Sequence, residues 1–448
     1  MASVPTIPVP TNQNWNTVSF DILAVVFQEA FEDLVEEYKC DNENWFYIDL
    51  PLILSSVCRC WRDAALALSS LWSFIQIDLP RYVGGRTDCG GLNLLRLWVS
   101  RSKDASLHLC IEGFEDKCTY DEGTFPLSEI DLDRVRYFSL AYRGSLCSEA
   151  SNWILKLDHV IEASVVGRYS PDLRLDIHMP QLRKLRLLTS DLQGFVFANS
   201  TIQSLTMGCN ALAYIASELT RSRAEWRPLE QLTLIGSIMD MQEDPPSLLA
   251  TELVFDGGST SLPSTVTAVF PPLTTLPTKI RIRRDSSLDY STIARILGPF
   301  GLNCYQGITF LELTDLRWNA APFYILLDQL SSLVELWIED SSTKNDNETP
   351  PHWGNPNTPT EFINELPRFY RQQKSLSKIT FYAQKPQNAK GLIEFARRLN
   401  RRLEITVLSG CFTALECEQL QQVSIFNVVV LYARRTEGIA RRELVPTV

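Results

Sequence analysis

The sharpest cluster of side chains that could do chemistry is basic. The run Arg281-Ile282-Arg283-Arg284 alternates cationic and apolar residues, and such alternation predicts a β-strand. A strand edge there would present Arg281 and Arg283 to one side. Guanidinium groups bind carboxylates and phosphates through paired hydrogen bonds. The pattern therefore allows a site for an acidic or phosphorylated peptide, although ordinary solvated arginines are the simpler interpretation.

The cysteine and histidine residues give no pattern that predicts a metal site. Cys58 and Cys60 are separated by one residue, and on a helix this spacing directs the two thiols to different faces, so we expect packing and not metal binding. None of the four histidines has a cysteine or carboxylate at ligand spacing. Eleven cysteines without a spaced framework in 448 residues predict reduced thiols. We expect neither a metal nor a cofactor.

Catalytic motifs are missing from the sequence. It has no Gly-x-x-x-x-Gly-Lys-Ser/Thr loop for phosphate, no Gly-x-Ser-x-Gly turn for a nucleophile and no His-Glu-x-x-His pair for zinc. Carboxylates are plentiful, but no spacing pairs two of them for acid–base work. The first hypothesis is therefore a non-catalytic protein, and an enzyme on an α/β framework is an alternative with only chain length in its favour.

The composition is that of an ordinary globular chain. Hydrophobic residues make up 45% and charged residues 21%, and 448 residues predict two or more folded units. A formal charge of −11 argues against nucleic acid or anionic membranes as partners and favours a basic partner surface. No apolar run reaches the roughly 20 residues that span a bilayer, and no secretory signal is recognisable. We expect a cytoplasmic or nuclear location, or both.

Two helical stretches must organise the N-terminal part of the chain. The first is predicted from Ser19 to about Tyr38. The second is expected to begin at Pro51, with Asp49 as its cap. The first stretch has apolar residues at helical spacing at Ile22, Val26, Phe27, Ala30 and Leu34. The second has one apolar stripe, expected to be buried on a single helix: Leu54, Val57, Cys58, Trp61 and Ala65.

These two stretches resemble a known domain. The second half of the F-box-like domain of fungal F-box proteins is similar to the run Pro51-Leu52-Ile53-Leu54-Ser55-Ser56-Val57-Cys58-Arg59-Cys60-Trp61-Arg62-Asp63-Ala64-Ala65 with the following Leu71-Trp72. The family's opening Leu-Pro-x-Glu-Ile-Leu-x-x-Ile-Phe is similar to Val18-Ser19-Phe20-Asp21-Ile22-Leu23-Ala24-Val25-Val26-Phe27. Val18 and Ser19 stand where the family has Leu and Pro.

The resemblance implies a function. F-box domains are helical modules that dock on the Skp adaptor of cullin–RING ubiquitin ligases. The implied partners are therefore a Skp-family adaptor and, through it, a cullin. By resemblance, the residues that contact the adaptor are Val18, Ile22, Leu23, Val26, Phe27, Pro51, Leu52, Val57, Cys58 and Trp61.

A degenerate repeat follows, in which two apolar residues lie three apart and a third lies two further on. Its copies are Leu182-x-x-Leu185-x-Leu187, Ile202-x-x-Leu205-x-Met207, Leu229-x-x-Leu232-x-Leu234, Ile308-x-x-Leu311-x-Leu313, Leu333-x-x-Leu336-x-Ile338, Leu376-x-x-Ile379-x-Phe381 and, more loosely, Val135-x-x-Phe138-x-Leu140. The first three middle residues recur after 20 and 27 residues, within the roughly 20 to 29 of leucine-rich repeats. Each copy predicts a strand of one parallel sheet, with the chain returning by a helix or loop.

Together the patterns predict an α/β protein. Its expected architecture is an N-terminal three-helix F-box-like module followed by an irregular leucine-rich-repeat-like solenoid with a parallel sheet. We expect a flexible arm over 1–16, the helical domain over 17–80 and the repeat domain over 92–448. The glycine-rich segment 81–91 is predicted to be the loop between the two domains.

The favoured functional hypothesis is the substrate-recognition subunit of a Skp–cullin–F-box ubiquitin ligase. The helices would bind the adaptor, and the repeat domain would bind a target protein, with Arg281 and Arg283 as candidate contacts. The alternative is a leucine-rich-repeat-like protein-binding scaffold without a ligase role, whose helices act only as a cap. Ser19 stands where the family has proline, and this departure favours the alternative. The helices would still be needed without a ligase role, because terminal repeats require a cap. Neither hypothesis involves nucleic acid or a membrane.

Overall fold

The structure of the protein is a computed structural model that describes part of the chain. The described residues are 18–40, 49–78, 89–114, 126–142, 153–167, 175–189, 202–208, 229–235, 250–256, 277–283, 307–314, 330–340, 375–383, 403–408 and 426–431, with the single residues 390, 415, 418, 419 and 422. Helices come first and strands dominate the rest, so the predicted α/β class is confirmed. The predicted arm over 1–16 lies outside the described residues.

Four α-helices whose bounds the structure gives lie before the second strand. They are α1 (Phe20–Cys40), α2 (Leu50–Val57), α3 (Arg59–Ala67) and α4 (Cys89–Ser102). Short 3-10 turns occupy Ser69–Trp72, Pro126–Glu129 and Leu132–Arg134. Within the described residues, no helix combines the length and the apolar character that crossing a bilayer requires. Residues 89–91 of the loop predicted over 81–91 belong to α4, and 81–88 lie outside the described residues.

The single helix predicted from Pro51 to Ala65 is wrong, because the chain breaks at Cys58. This residue is extended, with φ −156° and ψ 176°, and it stands between α2 and α3. The hydroxyls of Ser55 and Ser56 donate to the carbonyls of Leu52 and Ile53 at 2.9 and 2.7 Å. Such bonds compete with the helical hydrogen bonds of the backbone and weaken the end of α2. Asp49 precedes α2 as predicted, but its side chain makes no capping hydrogen bond.

Helix α1 buries one regular stripe of apolar residues. Its core residues recur every fourth position and are Leu23, Phe27, Phe31 and Val35. Of the residues noted at helical spacing, Phe27 belongs to this buried stripe, whereas Ile22 and Val26 are more than half exposed. The first turns of α1 are apolar nearly all round, so the spacing alone could not decide which stripe faces the core.

The strands follow one another in a long open sheet. They are β1 (Phe74–Asp78), β2 (Leu107–Phe114), β3 (Val135–Tyr142), β4 (Trp153–Lys156), β5 (Glu162–Gly167), β6 (Leu175–His178), β7 (Lys184–Thr189), β8 (Ser204–Gly208), β9 (Leu229–Ile235), β10 (Ala250–Asp256), β11 (Lys279–Arg283), β12 (Phe310–Thr314), β13 (Glu335–Asp340), β14 (Lys378–Ala383), β15 (Leu403–Leu408) and β16 (Phe426–Leu431). Fourteen form one sheet in chain order, from which β4 and β6 are left out and pair with each other. All the described pairings are parallel.

The repeat pattern coincides with this sheet. Leu185 pairs with Leu205, and Leu205 pairs with Leu232, so the middle residues of successive copies lie side by side. The first residue of each copy is also buried: Leu182 and Ile202 lie just before their strands, and Leu229 is the first residue of β9. The apolar residues thus form rows that run across the strands, and one face of the sheet is built against a core.

Several details differ from the expectations. Strand β11 carries Arg281 but lies inside the sheet between β10 and β12, so the predicted strand edge is wrong. Strand β1 falls within the helical domain predicted over 17–80, yet it pairs with β2 as the first strand of the sheet. Strands β4, β5, β6 and β10 were not predicted.

Candidate protein interaction surfaces

The N-terminal helices share an aromatic core. The rings of Phe27 on α1 and Trp61 on α3 meet edge to face with their centres 5.0 Å apart. Trp72 is fully buried, donates its indole Nε1–H to the Ala65 carbonyl at 2.8 Å and packs against Trp98 of α4 at 4.8 Å. These contacts fix α1, α3 and α4 relative to one another, so residues that point away from this core are held in place on the surface.

A group of large apolar side chains on α1 and α2 faces away from the core. We call it the apolar set, and its members are between 49% and 61% exposed: Phe20, Ile22, Val25, Val26, Ile53 and Val57. Ile22, Val25 and Val26 lie on one side of α1, and Ile53 and Val57 are one turn apart on α2. Exposed apolar residues are ordinary when scattered singly, but Ile22, Val25 and Val26 are adjacent on α1, and such a cluster is a candidate site for contact with another protein.

The ten residues that the family resemblance implied for the adaptor divide into three groups. Ile22, Val26 and Val57 belong to the apolar set. Leu23, Phe27 and Pro51 are buried within the helical part. The remaining four are partly exposed: Val18, Leu52, Cys58 and Trp61. Sequence reasoning missed Phe20, Val25 and Ile53, although the excess of apolar residues around the start of α1 was a readable signal.

Ser19 begins α1. Its hydroxyl oxygen lies 3.5 Å from the backbone nitrogen of Ile22, in the position of a cap on the first turn. Its carbonyl accepts a hydrogen bond from the backbone N–H of Leu23 at 3.1 Å. A serine is therefore suited to starting this helix, and it lies next to Phe20 of the apolar set.

The other end of α1 lies on the sheet. The ammonium group of Lys39 is 3.0 Å from Glu36 of its own helix and 3.7 Å from Glu162 of β5. The Lys39 carbonyl accepts a hydrogen bond from the guanidinium of Arg186 on β7. Cations that donate to the last carbonyls of a helix also interact favourably with its dipole. Helix α1 therefore connects the apolar set to the face of the sheet that carries Glu162 and Arg186.

Three rings on this face form a row beside the end of α1. His108 on β2 lies between Phe74 on β1 and Tyr137 on β3, with ring centres 6.3 and 5.5 Å apart. Burial, and secondarily the charge of Lys39, lower the pKa of His108 to about 4, although Glu36 acts in the opposite direction. His108 is therefore neutral at neutral pH. Burial raises the pKa of the Tyr137 hydroxyl, so that it stays protonated.

Farther along the same face, polar side chains are linked from strand to strand. The Ser204 hydroxyl donates to the Gln231 side-chain oxygen at 3.3 Å, and the Gln231 amide donates to Glu252 at 3.1 Å. Arg281 donates its Nε–H to Glu252 at 2.5 Å and a second N–H to Glu312. We call this series, from β8 to β12, the polar row.

The structure describes the side chain of Arg281 but not that of Arg283, the two residues predicted to contact a target. Arg281 lies on the polar row, where the carboxylates of Glu252 and Glu312 already hold its guanidinium. Its guanidinium carbon is also 5.1 Å from the centre of the Phe310 ring. Arg283 is the last residue of β11, and its side chain lies outside the described part of the structure. Two carboxylates held against one guanidinium do not make the acidic-ligand site that the sequence allowed.

The described residues contain no cluster of three or more His, Cys, Asp or Glu side chains that could hold a metal ion. Comparisons with known proteins add no family: no protein-family model matches the chain, and no curated protein matches it significantly.

Proposed function

We propose that the protein is the substrate-recognition subunit of a Skp–cullin–F-box type ubiquitin ligase. In this proposal α1, α2 and α3 form an F-box-like module that binds a Skp-family adaptor. The parallel sheet belongs to an irregular leucine-rich-repeat-like solenoid that binds a target protein. In this proposal the chain performs no chemistry itself. It promotes ubiquitin transfer by binding the target close to the transferring enzyme, which raises the effective concentration of the target at that enzyme.

The observation that carries the proposal is the apolar set. Burying a Val, Ile or Phe side chain completely stabilises an interface by about 1.5–3 kcal/mol, and covering a half-exposed one contributes roughly half of that. Covering these side chains would therefore contribute to the free energy of binding. They also lie on the stretches that carry the F-box resemblance, on α1 and α2.

The repeat interpretation is supported by the order of the strands. Strands β7 to β16 pair in sequence order, and the copies of the apolar repeat that begin at Leu182, Ile202 and Leu229 occupy equivalent places before and within their strands. A stack of similar units, each in contact only with its neighbours, is the arrangement of solenoid proteins.

The scaffold without a ligase role is the second candidate. It is favoured by the way the helical part adjoins the sheet: β1 follows α3 directly and pairs with β2, and Lys39 contacts Glu162 of β5. A cap on the end of the sheet requires such contacts. It does not require the exposed apolar side chains on the opposite side.

Binding of the full-length chain to a purified Skp-family adaptor tests the proposal by calorimetry. We expect micromolar or tighter binding, weakened at least tenfold by Val57→Asp and by Ile22→Asp, because a carboxylate in a desolvated apolar contact is costly. Val334→Asp is the matched control, since Val334 is also an exposed valine but lies just before β13. A folded wild-type chain that shows no binding would favour the scaffold.

A further inference from the structure

We infer that one side of α1 binds a partner surface on which an apolar area adjoins a basic one. This inference rests on the proposed adaptor-binding role of α1 and adds the charge of the partner. We call this side the outer face of α1, and it consists of six exposed residues: Ile22, Val25, Val26, Glu29, Glu32 and Asp33.

Helical spacing places these residues on one side of α1. Successive members recur three or four positions apart, which is the spacing of neighbours on the surface of an α-helix. The opposite side of the helix carries the buried residues Leu23, Phe27, Phe31 and Val35. The outer face is therefore one continuous surface that points away from the core.

The chemistry of the outer face changes along the helix. Its first three members are aliphatic and between 53% and 61% exposed. Its last three members are carboxylates, and each of them is exposed. The rise of an α-helix puts Val26 and Asp33 about 10 Å apart along the axis. One partner can therefore contact the apolar half and the acidic half together.

No cation of α1 balances the acidic half. Lys39 is the only basic residue of the helix, and its ammonium group pairs with Glu36 and with Glu162 on the sheet. Among the described residues, no ion pair includes a carboxylate of the outer face. The Gln28 amide donates to Glu32 at 2.6 Å, but this uncharged donor leaves the negative charge of Glu32 in place.

The acidic half is unfavourable for the free helix. Glu29 and Asp33 are four positions apart, and like charges at that spacing destabilise a helix. Glu29 and Glu32, three positions apart, form a second pair of this kind. Lys or Arg side chains on a bound partner would offset the repulsion. Charge complementarity therefore favours a partner that is basic beside its apolar contact.

A second copy of the chain does not fit this surface. Two outer faces packed in parallel would bring carboxylates against carboxylates, and such like-charge contacts are unfavourable. Two outer faces packed antiparallel would bury carboxylates against aliphatic side chains, which is costly without a cation. The occupant is therefore a different protein.

Calorimetry of the full-length chain with a purified Skp-family adaptor measures the contribution of the acidic half. The double variant Glu29→Gln/Asp33→Asn should bind the adaptor at least fivefold more weakly at low salt, and the difference should shrink as salt is added. Adaptor binding that is unchanged in this variant would overturn the inference.

A charge-matched control separates a docking face from general attraction to an acidic protein. Asp104→Asn/Asp158→Asn removes the same two charges from exposed positions outside the helices and should change adaptor binding less than twofold. Equal losses in the two double variants would mean non-specific attraction and would contradict the inference.

The stability of the free chain distinguishes lost contact from lost folding. Removal of the like-charge pairs should leave the melting temperature of Glu29→Gln/Asp33→Asn equal to or above that of the wild type. Weaker binding by a variant that is at least as stable then arises from the interface. If the double variant does not fold, Glu32→Gln replaces it, with Asp104→Asn as its single-charge control.

Two labelled peptides make the test independent of the adaptor. Both are amphipathic helices with the same apolar half, which is followed by Lys residues in one and by Glu residues in the other. Fluorescence anisotropy with the full-length protein should show at least tenfold tighter binding of the Lys peptide, and Glu29→Gln/Asp33→Asn should reduce this preference. Equal binding of both peptides, or no binding of either, would overturn the inference. A retained preference for the Lys peptide without adaptor binding would instead overturn the proposed ligase role alone.

Discussion

The ammonium nitrogen of Lys39, in the last turn of α1, lies 5.0 Å from the centre of the Tyr137 ring on β3. The same nitrogen is 3.7 Å from Glu162 on β5, and its side chain is only 15% exposed. One lysine thus connects the N-terminal helices with the sheet through a cation–π contact and an ion pair. Two surfaces that differ in chemistry, the apolar set and the polar row, are held together by this helix.

The first prediction concerns this connection. Lys39→Met should weaken the docking of the α1 C-terminal end by about 1 kcal/mol, because it removes a partly buried cation–π contact and an ion pair. Hydrogen exchange of the amides in the last two turns of α1 should then become several-fold faster. Lys156→Met, at an exposed position on β4, should leave those amides unchanged. Unaltered exchange in Lys39→Met would show that α1 is held by other contacts.

The second prediction concerns pH. Because the folded-state pKa of His108 is lowered to about 4, the unfolded chain binds more protons than the folded one between that value and the ordinary 6.5. The contribution of neutral His108 to stability is therefore complete above pH 6.5 and is lost as the pH falls towards 4. Between pH 7.5 and pH 5 this loss should be about 2 kcal/mol.

The variant His108→Phe isolates that contribution. Nδ1 of His108 has no hydrogen-bond partner, so a phenyl ring between Phe74 and Tyr137 should cost little at pH 7.5. Denaturant unfolding at pH 7.5 and pH 5 measures the free energy of unfolding, and its decrease at the lower pH should be smaller in the variant. The carboxylates contribute equally to the decrease in both proteins. Identical losses would mean that His108 titrates normally.

The third prediction concerns the apolar rows. Leu205 is fully buried between Leu185 and Leu232, so Leu205→Ala should destabilise the protein by about 3 kcal/mol through lost burial and a residual cavity. Leu94→Ala, at a leucine of α4 that is 46% exposed, should cost less than about 1 kcal/mol. Chemical denaturation measures both values. Similar losses in the two variants would contradict the assigned register.

The fourth prediction concerns the polar row. Arg281→Met leaves Glu252 and Glu312 without their shared guanidinium and should destabilise the protein by about 2 kcal/mol, since the loss of an ion pair by a largely buried carboxylate is costly. Adding Glu312→Gln should recover part of this loss, because the added change removes one of the two charges. A double-mutant cycle gives the coupling. Additive losses would show that the two side chains do not depend on each other.

Much of the sheet could be predicted because its rows depend on spacing alone. Leu185, Leu205 and Leu232 recur at positions that only a parallel stack brings together. Strands β5 and β10 follow the same spacing, as Val160-x-x-Ala163-x-Val165 and Ala250-x-x-Leu253-x-Phe255, but were missed. Alanine takes one place of the pattern in each and makes it too weakly apolar to recognise. An alanine can occupy a place in the apolar row because larger side chains on the neighbouring strands fill the space beside it.

The surfaces were harder to predict because they depend on tertiary contacts. The break at Cys58 follows from local serine hydrogen bonds that compete with the helix, which an apolar stripe does not reveal. The pairing of Arg281 with Glu252 and Glu312 joins residues about 30 positions apart through the register of three strands. The basic run therefore suggested a site for acidic ligands, although its first arginine, Arg281, is paired with two carboxylates of the chain.

The position of β1 limits how this chain could be divided or exchanged. Helices α1, α2 and α3 end before Phe74, yet the strand that follows them pairs with one edge of β2. A fragment that lacked residues up to Asp78 would leave the backbone N–H and C=O groups of β2 unpaired, and such an edge promotes aggregation. Recombination that replaced α1, α2 and α3 would have to replace β1 with them. The unit that can be exchanged therefore extends beyond the helices to Asp78.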